Sequence, residues 1–312
     1  MPARFRDAPR VRVVGNICID LVMRGVEQLP AWGQEVAASS TDVNVAGQGP
    51  NFARALARLG TDVELHGVIG DDAFAPRVRA DLAAHGVNAN NVASCPGATA
   101  LTVAAVRPDG ERAFLSDFGV ARTYTSADIA LVPQPGDVCA LLGQCNMPGL
   151  DPAASIGLIA AWKAAGALTI VDTGWDPANW PAATIDALRT QLSHTDCFLP
   201  NLDEAEVLVG HRDPIAAAAT LRALGPAIVV VKCGSEGAVV ADGDGIAHIP
   251  ALPVDALDAV GAGDTFDAAF VHALIRGMTV PAAARVANAA AAWYVSRTVD
   301  RLPSVEDVMG FQ

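Results

Sequence analysis

The chain has 312 residues, 52% hydrophobic, 5% aromatic and 18% charged, which excludes a disordered polymer and allows one large α/β domain or two smaller ones. A net charge of −13, with lysine only at Lys163 and Lys232, excludes a broad electrostatic grip on nucleic acid or an anionic membrane and leaves no P-loop lysine. Six cysteines without a C-x-x-C pair, no signal-peptide stretch in MPARFRDAPR and no run of ~18 apolar residues together point to reduced thiols in a cytoplasmic chain.

In chain order, RVRVVGNICID (10–20) is a near-continuous apolar run, the pattern of a first strand covered on both faces. The texture then changes to short alternating pieces such as EVAASSTDVNVA, which suit a sheet exposed on one side. PNFARALARLG reads as a helix with Pro50 near its start and Gly60 at its end, followed by the strand DVELHGVIG and the helix DDAFAPRVRADLAAHG. TALTVAAVRPDGERAFLSDFG returns to alternation, with Pro108-Asp109-Gly110 turning one strand back on the next. The two alternating patches predict a small sheet inserted in a larger domain as a lid. Beyond them the strands DVCALLGQ, ALTIVDT, DCFLP and AIVVVKCG are separated by helical segments such as DPAASIGLIAAWKAAG and DPIAAAATLRALG. That alternation predicts βαβ units and a mostly parallel sheet, with ligands beyond the carboxyl ends of its strands.

Near the C-terminus PVDALDAV looks strand-like and leads through Gly261, Ala262 and Gly263 to Asp264, which opens the helical stretch TFDAAFVHALIRGM. A helix N-terminus presents unpaired N–H groups and partial positive charge, and glycines let an anion reach the backbone. Taken alone, the turn supports two roles for Asp264. As a general base it takes a proton from an incoming hydroxyl while the amides of 261–263 hold a phosphoryl group in transfer; as an ordinary N-cap it only closes the helix.

DAVGAGDTFDAAF (258–270) is similar to the C-terminal signature of the ribokinase (PfkB) family of ATP-dependent sugar and nucleoside kinases, and AGQGPNFARALARLG (46–60) resembles its N-terminal one. The resemblance runs over essentially the whole chain. It implies an α/β fold with a ribokinase-like three-layer α/β/α core and a small β-sheet lid, the core taking residues 1–20, 47–96 and 121–312 and the lid 21–46 and 97–120. It implies a carbohydrate kinase that phosphorylates a hydroxymethyl group with ATP and Mg2+, Asp264 being the base and Gly261, Ala262 and Gly263 the anion hole. Asp20, Gly47, Gln48, Asn51 and Asn146 correspond to residues that hold the acceptor. Asn201 and Glu204 in LPNLDEAE match the N-x-x-E motif, Glu204 acting on magnesium through water; an N-x-x-E is also a plain helix-start motif. In KCGSEG, Lys232, Gly234, Ser235 and Gly237 resemble the stretch lining the nucleotide, and Asn288 falls where the family sets a residue against adenine or, equally, at an ordinary polar helix position.

Departures from the pattern bear on specificity. Where ribokinase-type sites carry a lysine and an acid, this chain has the neutral amides Gln48 and Asn146, which still bind hydroxyls but can select different ones, so the acceptor is not assigned as ribose. Asp258 corresponds to the acid that holds a monovalent cation such as K+ in many members, yet the later loop, SRTVDRLPS, lacks the usual glycine. Asp258 then either holds potassium or only pins the turn. Arg24, Arg107 and Arg112 would suit a phosphorylated substrate and Trp32, Phe114 and Phe118 a nucleoside base, though solvated arginines and packed aromatics are the commoner case. The alternatives are a nucleoside kinase of the same family and a non-catalytic sugar or nucleotide sensor, whose expected mark is a broken GAGD or N-x-x-E. A homodimer through exposed lid edges is a family habit.

Overall fold

Alternation within single strands builds two apolar cores at once. In the computed structural model, which describes residues 9–299 and 301–311, Val11 and Val13 of strand β1 (Val11–Gly15) enter one cluster and Val14 the other. Residues 1–8 of the expected first core segment (1–20), and residues 300 and 312 of the last (121–312), lie outside the described residues.

The chain leaves the large sheet at once. RVRVVGNICID is not one strand: β1 ends at Gly15, and β2 (Cys18–Arg24) belongs to a second, four-stranded sheet of order β3-β2-β6-β7 with β3 (Ser40–Ala46), β6 (Ala100–Val106) and β7 (Arg112–Asp117). Apolar continuity hides the break because both sheets bury this segment. The second sheet therefore starts at Cys18, and Asp20 sits inside its central strand, opposite Asn44 and Thr102, not at the end of the first core strand.

Helix α1 (Gln48–Arg58), strand β4 (Val63–Gly70), helix α2 (Ala75–Ala84) and strand β5 (Asn88–Cys95) carry the chain to one edge of the large sheet. After β7 it returns to the other side of β1 as β8 (Val138–Leu142), α3 (Pro152–Ala164), β9 (Leu168–Asp172), α4 (Ala182–Leu192), β10 (Cys197–Phe198), α5 (Leu202–Val209), α6 (Pro214–Ala223) and β11 (Ile228–Lys232). Two further strands, β12 (Ala238–Asp242) and β13 (Gly245–Ile249), close the nine-stranded order β13-β12-β11-β10-β9-β8-β1-β4-β5; β12 runs antiparallel to both β11 and β13, and all other pairings are parallel. The order reverses direction between β1 and β8, the position at which such sheets open a crevice at their carboxyl ends.

Helices α7 (Ala262–Ile275), α8 (Val280–Val295) and α9 (Val305–Gly310) join α1 and α2 on one face through Phe52, Leu82, Phe270 and Ala287, while Ile159, Leu188, Leu208 and Leu221 of α3 to α6 cover the other. PVDALDAV is irregular and not a strand. The N–H of Leu257 is donated to Val295 O at 2.7 Å at the end of α8, so this stretch pairs with a helix terminus. The six cysteines are unpaired thiols, and no helix among the described residues is long and apolar enough to cross a membrane.

Phe270 is fully buried in α7. Phe270→Ala is expected to lower unfolding free energy by about 3–5 kcal/mol, from lost burial and the cavity left behind, as read by urea denaturation; an unchanged midpoint would show that α7 is not anchored there.

Candidate active site

Asp264 stands in the first turn of α7, but it is not the cap. Gly261 is, at φ +83°, and no side chain bonds the helix start. A Cβ at Gly261 would lie 2.6 Å from Tyr294 Oη, so glycine is required there both by the left-handed backbone and by the ring behind it. With the N-cap role removed, the Asp264 carboxylate accepts from Asn51 Nδ2 at 2.8 Å, a contact between α7 and α1. Asn51 is set in turn by Arg54, which donates to Asn51 Oδ1 at 2.6 Å and reaches Asp81 at 2.9 Å. Asp264 is only 9% exposed, and burial pushes its carboxyl up to about 6 against the lowering effect of the Asn51 bond.

The helix mouth beside it is open. Gly263 is exposed, and the amides of a first helical turn have no intrahelical partner. One of the three expected anion-hole amides is otherwise engaged: Ala262 N–H is donated to Ala259 O at 3.2 Å, which leaves Gly261 and Gly263 as the better candidates.

The N-terminal motif makes the opposite wall. Gly47 has φ +103°, and a Cβ there would overlap the carbonyl of Asn16, so the chain can fold α1 tightly against the exit of β1 only with glycine. Asn16 Oδ1 accepts from Gln48 N at 3.1 Å. Gln48 and Asn146 come together: a Cβ at Gly174 would find Gln48 Oε1 at 2.9 Å and Asn146 Nδ2 at 3.1 Å. Gln48 Oε1 is buried with no hydrogen-bond partner among the described residues. An orphaned buried acceptor at the β1/β8 switch point suits a hydroxyl donor.

Asp20 and Asn51 line a cavity of about 980 Å³ between α1, the second sheet and the 257–260 turn. Asp20, Val22 and Arg24 show that one face of β2 looks into it. Burial raises the Asp20 carboxyl, and Cys18 Sγ donates to it at 3.4 Å. Arg24, Arg112 and Phe114 also line this cavity, whereas Arg107 pairs with Asp109 at 2.7 Å in the hairpin turn, Trp32 is fully exposed and Phe118 borders a separate cavity of about 460 Å³.

The residues expected at the nucleotide are placed differently from one another. Gly234 and Ser235 are exposed after β11, and Gly237 is buried. The Lys232 ammonium does not face outward: it is buried between Asp172 at 2.7 Å and Asp267 at 2.8 Å, which hold it above its ordinary range despite the opposing effect of burial. Burial raises the Asp267 carboxyl, whereas the Lys232 ammonium holds Asp172 below its ordinary range. Asn201 and Glu204 form a reciprocal cap, Asn201 Oδ1 accepting from Glu204 N at 2.8 Å and Glu204 Oε2 from Asn201 N at 2.9 Å. Glu204 is 2% exposed, and burial, then Asp172, push it up to about 8. Asn288 donates to Ile249 O at 3.0 Å and Pro250 O at 2.9 Å, so its amide holds the chain leaving β13 and only its carbonyl remains for a ligand. Asp258 accepts from Val260 N at 2.9 Å and faces Arg301 and Arg24.

Sequence reasoning missed Asp172, Asp267, Arg54 and Arg301. Asp172 had a signal, an acid at a strand exit in LTIVDT, and Asp267 lies one helical turn after Asp264; neither reveals Lys232 as the partner.

A family model described as pfkB family carbohydrate kinase matches residues 8–307. The chain belongs to the pfkB family of carbohydrate kinases. Ribokinase from Bacillus subtilis (strain 168) is 28% identical over 280 residues, 89% of this chain and 90% of that protein. The structure of Arabidopsis thaliana ribokinase complexed with ribose and ATP superposes with a TM-score of 0.78 at 24% identity, covering 97% of this chain and 98% of that one. Burkholderia thailandensis nucleoside kinase in complex with inosine gives 0.80 at 18% identity, covering 96% and 95%. The architecture is the ribokinase fold, a mostly parallel nine-stranded sheet between helical layers with a smaller four-stranded sheet.

Removing the ammonium deprives the buried carboxyl groups of Asp172 and Asp267 of the cation they share. Lys232→Met is expected to destabilise by about 3–5 kcal/mol in chemical denaturation; wild-type stability in that variant would mean that Asp172 and Asp267 are both neutral without it.

Proposed function

We propose that this protein transfers the γ-phosphoryl group of ATP to a hydroxymethyl group of a sugar or sugar-like alcohol, with Asp264 as the general base. The observation that carries the reading is Asp264 itself: buried, bonded to Asn51, free of any capping duty and set at an open helix mouth. Membership of a carbohydrate kinase family and the ATP named for the Arabidopsis ribokinase structure support the donor.

In this reading Asp20 and Asn51 orient the acceptor through the cavity they line, and Gln48 Oε1 accepts a substrate O–H. The Asp264 carboxylate takes the proton of the attacking hydroxyl, whose oxygen forms the new bond to the γ-phosphorus as the bond to the ADP oxygen breaks. The amides of Gly261 and Gly263 receive the charge on the transferring group, in a site where fixed dipoles need no reorganisation. Among the described residues no group of three or more His, Cys, Asp and Glu side chains could cage a metal. Magnesium bound with the nucleotide phosphates would neutralise their charge, and Asn201 and Glu204 are the residues that would stand beside its water shell. Phe114 on the cavity wall favours a second acceptor class, a nucleoside whose base stacks on the ring.

ATP consumption across a panel of pentoses, hexoses, sugar acids and nucleosides tests the reading, and no turnover with any of them in the presence of magnesium would refute it. Asp264→Asn is expected to lower kcat by ~10²- to 10⁴-fold while nucleotide binding persists; full turnover in that variant removes Asp264 from the mechanism. Because the base works only when ionised and its carboxyl is raised to about 6, kcat should be flat above pH 7 and fall tenfold per unit below about 6. A profile with its acid limb near the ordinary aspartate value would place the essential base elsewhere.

A further inference from the structure

Three oxygens converge on one point in the turn before α7: Asp258 Oδ2 and the carbonyls of Asp258 and Val260. The cation that meets them belongs to the chain. Arg301 donates from Nη1 to Asp258 Oδ2 at 3.1 Å, and from Nη2 to Asp258 O at 2.6 Å and Val260 O at 3.4 Å. Its Nε donates to Tyr294 O at 3.3 Å, and its guanidinium carbon lies 3.9 Å from the centre of the Tyr294 ring. The hydroxyl of that ring is what a Cβ at Gly261 would strike. Arg301 thus grips the turn from two sides, through its oxygens and through the ring behind its glycine.

A potassium ion beside Asp258 does not fit this arrangement. It would have to share the same carboxylate and carbonyls with a guanidinium already bonded to them, and Arg24 adds a second positive group at 3.6 Å from Asp258 Oδ2. Like charges around one carboxylate repel, and an arginine cannot relieve the conflict by losing its proton. The guanidinium fork also suits a carboxylate and adjacent carbonyls better than a single point charge does. The segment that delivers it, SRTVDRLPS, follows α8 and has no glycine.

We propose that Arg301 is a built-in monovalent cation: its guanidinium stands where a potassium ion would, holds the 258–261 turn and through it the amides at the mouth of α7, and makes the enzyme independent of added potassium. The proposal rests on the kinase reading for its effect on rate, but not for its structural content. Arg301 is a positioning residue, since it touches the turn and not the reacting atoms.

The test compares potassium chloride, sodium chloride and choline chloride at equal ionic strength, reading both the initial rate with the acceptor found in the substrate panel and the thermal midpoint. For the wild-type enzyme the rates should agree within about twofold, short of the fivefold or larger change typical of a coupled activator, and the midpoint should not move. Arg301→Ala should lose about 10- to 100-fold in kcat, as expected for lost charge-assisted hydrogen bonds, with a much smaller change in nucleotide KM. Part of that loss should return with millimolar guanidinium or with potassium, and potassium should now raise the midpoint relative to choline. Arg301→Lys, which keeps a cation, should fall between the two and decides the matter with the wild-type data if Arg301→Ala does not fold. Activation or stabilisation of the wild type by potassium over choline overturns the proposal, as does an Arg301→Ala variant that matches wild type or whose loss neither cation repairs. Absence of phosphoryl transfer in every salt would refute the kinase reading instead, and the midpoints would still report on Arg301.

Discussion

One hydrogen bond, from Asn51 on α1 to Asp264 on α7, ties together the two motifs that lie at opposite ends of the chain. Its geometry depends on a relay of constraints. Gly47 lets α1 start against the exit of β1, Asn16 receives the first amide of that helix, and Arg54 fixes the face of Asn51 that does not meet Asp264. On the other side Gly261 and Tyr294 shape the entry to α7. The carboxylate is consequently buried, reachable and single-purpose, and burial moves its proton affinity toward the range in which a base can work near neutral pH.

The electrostatics around this pair are arranged in two tiers. Beneath the helix mouth, the Lys232 ammonium is held between the carboxyl groups of Asp172 and Asp267. A Cβ at Gly263 would lie 3.7 Å from Lys232 Nζ, so this group underlies the open backbone of the mouth. At the rim, Arg301 and Arg24 neutralise Asp258. The mouth is thereby left with its amide dipoles and with Asp264, while Asp172, Asp267 and Asp258 are each paired with a cation. In the proposed reaction an arriving phosphate would meet less repulsion there than the chain's acidic composition suggests.

Legibility in the sequence followed the range of the interactions. Gly47, Asn51, Gly261 and Asp264 were readable because short motifs encode turns and helix starts that few other residues permit. The apolar strands of the large sheet were readable because burial on both faces leaves no polar alternation. The break at Asn16 was hidden for the same reason. β5 was missed because NANNVASC is polar, as an edge strand allows, and PVDALDAV misled because its backbone pairs with the end of α8 and not with a neighbouring strand. The hairpin of β12 and β13 carried its signal in Asp242-Gly243-Asp244-Gly245, which was not used.

By itself, the sequence determined the α/β architecture, the two glycine-shaped helix entries and the acid at the second of them, because periodicity, turn chemistry and backbone sterics act within a few residues. Only the tertiary structure decided which charge faces which: that Lys232 turns inward to Asp172 and Asp267, that Gln48 meets Asn146, and that Arg301 reaches Asp258. These pairings join segments from different parts of the fold, and no local pattern records them. Electrostatic neutrality of a buried site is a property of the assembled neighbourhood, whereas helix and turn formation is a property of the chain at hand.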